Sequence, residues 1–236
     1  MRSTGESDRR VIFVHGMGPK PPRARHRQEW LDGLRHSLWA PLPDETATMA
    51  YWADLRSRRP LRFRIRAGLL NVFRSRLMKA FARDFYLYFH TNLGKDIRQQ
   101  LQKELRAAAG KRIAILSHSM GAVIAYDVLI RSPVKVELLI TMGSPLGLPP
   151  IHRELKRAAF PSGLHRWLNT FDGMDPVTLP VQEIGGIYTR DGAHLVIDRM
   201  IRENHSPKGK RDAHHWFGYL TCQEVGDALS QFLIAP

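Results

Sequence analysis

Ser119 stands in the segment Ser117-His118-Ser119-Met120-Gly121. An apolar run, Ile113-Ala114-Ile115-Leu116, precedes it, and a helix-forming stretch from Ala122 to Leu129 follows. A serine on a sharp strand-to-helix turn is a candidate nucleophile, because the turn pushes Oγ into the open and aims the next backbone N–H at the same reacting atom. Small residues two positions to either side let neighbouring backbone come close. Gly121 meets that need, whereas Ser117 stands where glycine is usual, so the pattern is S-x-S-x-G. The same residues also read as a helix N-cap, with Ser119 serving the first-turn N–H groups.

The rest of the chain bears on that choice. A serine nucleophile needs a base, an acid that orients the base, and N–H donors for the oxyanion. In a strand-turn-helix architecture these follow in the order Ser, Asp or Glu, His, each on the loop after a later strand. Asp175 lies in Asn169-Thr170-Phe171-Asp172-Gly173-Met174-Asp175-Pro176-Val177, just after a strand candidate ending at Phe171, and Asp172 is a second carboxylate in that loop. His214 and His215 come about forty residues later, ahead of Trp216-Phe217-Gly218-Tyr219-Leu220, and either suits the role of base. No metal site is expected: adjacent His214 and His215 are poorly placed to share one ion, and neither H-E-x-x-H nor paired-cysteine spacing occurs. No Walker loop is present, and no cofactor is expected.

The elements that must position these residues are legible as short apolar runs. Val11-Ile12-Phe13-Val14 is a buried-strand pattern that stops at His15-Gly16-Met17-Gly18-Pro19. A helix is expected over 23–39 (Trp30, Leu31, Leu34, Leu38), ended by Pro41 and Pro43, then a strand over 46–52. A second helix is expected over 94–109 through Ile97, Leu101 and Leu105, stopped by Gly110. Strands are expected over 113–116, 136–142, 166–171 and 194–200. This alternation of strands with helices implies an α/β fold with a mostly parallel sheet covered on both faces.

Composition bounds the reading. The chain has 236 residues, without a composition break or internal repeat, so one domain is expected over 11–236 after a flexible segment, 1–10. One cysteine, Cys222, rules out an internal disulfide framework. The polar first ten residues and the lack of a long apolar stretch lead to the expectation of a cytoplasmic protein, at most peripheral to a membrane.

The formal net charge is +14, and much of it is local: residues 56–83 hold ten Lys or Arg, from Arg56 to Arg83, and no Asp or Glu. Residues 53–93 interrupt the alternation and read as an insertion. Within them Phe73, Leu77, Phe81, Phe85 and Tyr88 form one apolar helical face among cations. Such a helix either packs on the domain with solvated arginines, or serves as a lid or a docking surface for an anionic membrane. Charge alone is non-specific, and no nucleic-acid motif accompanies it, so no specific nucleic-acid partner is expected.

With these features in order, the chain resembles the small esterases and lipases of the α/β-hydrolase superfamily. The resemblance rests on Val-His-Gly-Met-Gly after the first strand, Ser-His-Ser-Met-Gly at the elbow, Gly143-Ser144-Pro145-Leu146 after the next strand, Asp175-Pro176-Val177, and a histidine before Gly218-Tyr219-Leu220. It spans residues 11 to about 221. It implies an α/β-hydrolase fold and cleavage of a small-molecule or lipid ester through an acyl-enzyme, with Ser119 as nucleophile. Asp175 is implied as the acid, Asp172 being left as a turn residue, and His214 as the base, five residues before Tyr219, with His215 as the alternative. It further implies that the N–H groups of Met17 and Met120 form the oxyanion hole; His15 resembles a structural loop histidine, His118 beside the nucleophile is expected to pack or cap, and Ser144 before Pro145 is expected to be a turn residue. The same site serves thioesters, amides or acyl transfer, and a catalytically silent scaffold that binds an anionic membrane or nucleic-acid surface is the competing class.

Overall fold

The computed structural model describes residues 8–57 and 76–235. Six parallel strands form one sheet: β1 (Arg9–Val14), β2 (Ala47–Ala50), β3 (Arg112–His118), β4 (Val136–Met142), β5 (Leu164–Asp172) and β8 (Val196–Ile201). Their spatial order is β2-β1-β3-β4-β5-β8. The short strands β6 (Thr189–Arg190) and β7 (Ala193–His194) form a separate antiparallel pair. The helices are α1 (Arg23–Leu34), α2 (Ala53–Ser57), α3 (Arg76–His90), α4 (Leu93–Ala107), α5 (Met120–Ile130), α6 (Pro149–Leu155), α7 (Trp216–Leu220) and α8 (Gln223–Ile234).

The unbroken apolar runs of the central strands reflect burial on both faces. Ile12, Val14, Ile113, Ile115 and Leu139 point into one core with Phe81 and Tyr88 of α3, Ile97, Leu101 and Leu105 of α4, and Val123 and Tyr126 of α5. Their neighbours Val11, Phe13, Ala114, Leu116, Leu138 and Ile140 point into the other, with Trp30, Leu31 and Leu34 of α1 and Val225, Leu229 and Phe232 of α8. This is the period of two expected of strands. Helix α5 is buried from Met120 to Leu129, which explains why its sequence is apolar all round.

Several boundaries differ from those the sequence predicts. Strand β1 begins at Arg9, not Val11, because the Arg112 N–H donates to the Asp8 carbonyl (2.8 Å) and the Arg9 Nε–H donates to the Phe232 carbonyl (3.1 Å). The Arg9 guanidinium thus satisfies a carbonyl at the end of α8, where the helix dipole also favours a cation. Helix α1 ends at Leu34, well before Pro41: the Ser37 hydroxyl donates to the Leu220 carbonyl (2.7 Å), and α8 approaches so closely that a Cβ on Gly226 would lie 2.2 Å from the Ser37 carbonyl oxygen. The strand read over 194–200 starts at Val196, after the β6–β7 hairpin. Helix α8 itself was not read from the sequence.

In the insertion, Phe81 and Tyr88 are buried, Phe85 is half-buried against the core, and the Tyr88 hydroxyl donates to Asp127 (2.7 Å). The described part of the apolar face therefore packs on the domain. Phe73 and the cations from Arg58 to Arg74 lie outside the described residues, as do the side chains of Arg56, Arg76 and Leu77. Among the described residues no helix is long and apolar enough to cross a membrane.

Candidate active site

Strand β3 ends at His118, and α5 begins at Met120. Between them Ser119 has φ +55° and ψ −126°, a left-handed conformation that a serine adopts only under constraint. Three contacts supply the constraint. The Ser119 N–H donates to the Met142 carbonyl (2.9 Å). Gly121 brings α5 onto the end of β1, where a Cβ would lie 2.2 Å from the Val14 carbonyl oxygen. Ser117 is accommodated because its hydroxyl turns to β4 and donates to the Ile140 carbonyl (3.1 Å). The departure from glycine at this position thus leaves the elbow intact.

Two loops from the same end of the sheet meet Ser119. His214, on the loop after β8, has Nε2 at 2.9 Å from Ser119 Oγ. Its Nδ1 lies 2.9 and 2.8 Å from Oδ1 and Oδ2 of Asp175, on the loop after β5. The structure thus brings Ser119, His214 and Asp175 into one hydrogen-bonded line, buried along its length. It leaves His215 outside that line: His215 is the N-cap of α7, where its Nδ1 accepts the Phe217 N–H (3.1 Å).

The Asp175 carboxylate is fully buried and needs donors on both oxygens. Beside His214, Oδ1 accepts the Val177 N–H (2.9 Å) and Oδ2 accepts the Tyr219 hydroxyl (2.8 Å). Tyr219 in turn accepts the Asp172 N–H (3.0 Å). Burial, then the Asp175 charge, pushes the Tyr219 phenol well above its ordinary range, so it stays a proton donor. Gly143 makes room for this arrangement: with φ +53°, a Cβ there would lie 2.8 Å from Asp175 Oδ2 and 3.0 Å from Tyr219 Cε2. Neither contact follows from the sequence pattern, although Gly143 and Tyr219 both belong to motifs that stand out in it.

Asp172 has another role. Burial alone would raise its pKa, but the Arg211 guanidinium and the N–H groups of Met174 and Asn204 hold it below the ordinary carboxylate range. Its two oxygens take Arg211 at 2.5 and 3.0 Å, and so tie the end of β5 to the loop that carries His214. His118 fixes that loop from the other side, its Nε2–H donating to the His214 carbonyl (3.0 Å). Ser144 accepts the Leu146 N–H (3.2 Å) and caps the turn over Pro145–Gly147.

The loop after β1 closes the site. A Cβ on Gly16 would lie 2.9 Å from Ser119 Cβ, so this loop rests directly on the elbow. His15 is buried, and burial holds its pKa well below the ordinary histidine value. Its Nε2 accepts the Trp52 N–H (3.1 Å), which leaves the proton on Nδ1 to donate to the Gly16 carbonyl (2.8 Å). In a trans peptide this puts the Met17 N–H on the side away from His15. Met120 is the first residue of α5, where backbone N–H groups have no partner within the helix and the dipole favours negative charge. A cleft of about 660 Å³, lined by Arg106, Lys111 and Lys135 among others, lies at the opposite end of β3 from this site.

No protein-family model and no curated protein sequence matches the chain. Solved structures similar to it include a dienelactone hydrolase from Anabaena variabilis, at 19% identity and TM-score 0.47 over 98% of this chain and 87% of that one. The RedJ thioesterase of the prodiginine pathway in Streptomyces coelicolor is similar at 15% identity and TM-score 0.46, over 96% and 89%. A cutinase-like protein from Cryptococcus sp. is similar at 13% identity and TM-score 0.37, over 95% and 93%. The fold is read from the chain itself: the parallel order β2-β1-β3-β4-β5-β8, helices on both faces and a left-handed serine between β3 and α5 make the α/β-hydrolase fold.

Proposed function

We propose that this chain, an α/β-hydrolase by fold, is a serine hydrolase that cleaves carboxylic esters through an acyl-enzyme. The observation that carries the reading is the unbroken line from Ser119 Oγ through His214 to Asp175, with contacts of 2.9 and 2.8 Å. Ser119 attacks the acyl carbon while His214 Nε2 takes its proton, and Asp175 holds the imidazole in the tautomer that presents Nε2 as acceptor. The tetrahedral oxyanion is received by the N–H groups of Met17 and Met120. His214 then returns the proton to the departing alcohol, and water, activated in the same way, releases the acid.

A strained serine held in register with a buried base and acid supports catalysis over a silent scaffold, since strain of this kind costs about 1–3 kcal/mol and persists only where surroundings enforce it. Thioester cleavage uses the same groups and is distinguished by substrate. A p-nitrophenyl ester series of graded chain length, run beside acyl thioesters, tests the reading. We expect ester hydrolysis that Ser119→Ala abolishes; a folded wild-type protein inactive on the whole series, or turnover confined to thioesters, would overturn the ester assignment. The anionic-surface role proposed for Arg56 to Arg83 stands on sequence alone.

A further inference from the structure

The loop that carries Met17 is bonded to the residue just before the insertion and again to helix α3 within it. Trp52, the residue before α2, donates its backbone N–H to His15 Nε2 (3.1 Å) and its indole N–H to the His15 carbonyl (3.1 Å), with the two rings stacked 4.8 Å apart. Farther along the chain, Asp84 of α3 accepts the Gly18 N–H on Oδ2 (2.9 Å). Asp84 is 3% exposed, a buried carboxylate on the apolar side of an otherwise basic helix.

These bonds act on the two peptides that flank Met17. The Gly16–Met17 peptide is held at its carbonyl by His15, which Trp52 orients, and the Met17–Gly18 peptide is held at its N–H by Asp84. Gly18 has φ +83°, so it carries the bend that turns its N–H toward α3. With both peptide planes fixed, the direction of the Met17 N–H is fixed as well. Catalytic hydrogen bonds to an oxyanion depend on such preorganisation.

We infer that Asp84 is a positioning residue for the oxyanion-binding loop, so that helix α3 of the basic insertion sets catalytic rate by fixing the peptides around Met17. This rests on the reading of Met17 N–H as an oxyanion donor in a serine hydrolase. It gives the insertion a role at the reacting centre, separate from any lid or membrane contact.

The test compares wild type, Asp84→Ala, Asp84→Leu and Asp84→Asn for ester turnover and for the rate of fluorophosphonate labelling. Loss of the acceptor in the Ala and Leu variants is expected to lower kcat by roughly tenfold or more, with KM within about twofold, and to slow labelling in parallel, below the roughly 10²- to 10³-fold ceiling for losing one oxyanion donor outright. Asp84→Asn keeps a carbonyl acceptor and is expected to restore most of kcat. Tyr88→Phe, which removes a buried polar contact of α3 with Asp127, loosens the helix without touching the loop and should leave kcat near wild type. Unchanged kcat in Asp84→Ala or Asp84→Leu, or an equal loss in Tyr88→Phe, would overturn the inference. Should neither acceptor-free variant fold, amide exchange at Gly18 in the wild-type protein decides: protection is expected, and exchange at the rate of an open loop contradicts the bond. Inactivity of the wild type on every ester and toward the probe would instead remove the hydrolase reading itself.

Discussion

Tyr219 donates its phenolic hydrogen to Asp175 Oδ2 at 2.8 Å, on the same carboxylate that holds His214 Nδ1. The line that begins at Ser119 therefore runs one residue further than a triad, and it ends on backbone, since Tyr219 accepts the Asp172 N–H. Tyr219 comes from α7 and the core on the far face of the sheet, so the packing of that face sets the position of Asp175.

Tyr219→Phe removes one donor from a buried carboxylate and one acceptor from a buried N–H. Stability should fall by about 1–3 kcal/mol, the usual cost of a buried polar group left without its partner. The kcat should drop about threefold to tenfold with KM little changed, because Tyr219 acts through Asp175 rather than on Ser119 or His214. Urea denaturation and steady-state kinetics on one ester check both; a variant as stable and as fast as wild type would show that the bond is incidental.

His214 and His215 are neighbours with separate tasks, and their replacement should separate them. His214→Ala should lower kcat by roughly 10⁴-fold or more, the scale of losing one member of a group that acts as a unit. His215→Ala should cost about 1 kcal/mol of stability for the lost N-cap, with activity close to wild type. Equal losses of activity in the two variants would contradict the placement of the base.

Three of the buried histidines contribute to the acid sensitivity of the fold. Burial holds His15 and His118 well below the ordinary histidine value, and burial lowers His26 to about 4 from 6.5. Each is neutral in the folded protein and takes up a proton on unfolding below about pH 6.5. The unfolded state thus binds more protons, so stability is fully present above pH 6.5 and is lost as pH falls toward 4. The slope contributed by each group is about 1.4 kcal/mol per pH unit, or about 4 for all three together. Urea unfolding at pH 5, 6, 7 and 8 should show the decline below 6.5, and His26→Gln should remove one proton from the slope. A flat profile across that interval would contradict their burial as neutral rings.

Much of this site was legible in the sequence because its signals are local. An apolar run, a serine and a glycine announce the elbow within nine residues, and Asp175 and His214 each follow a strand-like run in chain order. The contacts that hold the line together were not legible, because they join residues far apart in the chain: Tyr219 to Asp175, Gly143 to both, His118 to the His214 carbonyl, Asp84 to Gly18. Each depends on sheet register and helix placement rather than on spacing. The order of the chain left His214 and His215 as alternatives and the resemblance favoured His214; one residue of offset decides which ring faces Ser119 and which caps α7. Helix α8 had a readable pattern in Val225, Leu229 and Phe232, whereas the early end of α1 was hidden by a close approach of α8 at Gly226.

Activation of Ser119 as a nucleophile by His214 and Asp175 is tested most directly by a fluorophosphonate probe followed by intact mass and peptide mapping. A single adduct on Ser119 is expected in the wild-type protein and none in Ser119→Ala. A folded wild type that stays unlabelled, or a Ser119→Ala variant labelled to the same extent, would contradict it.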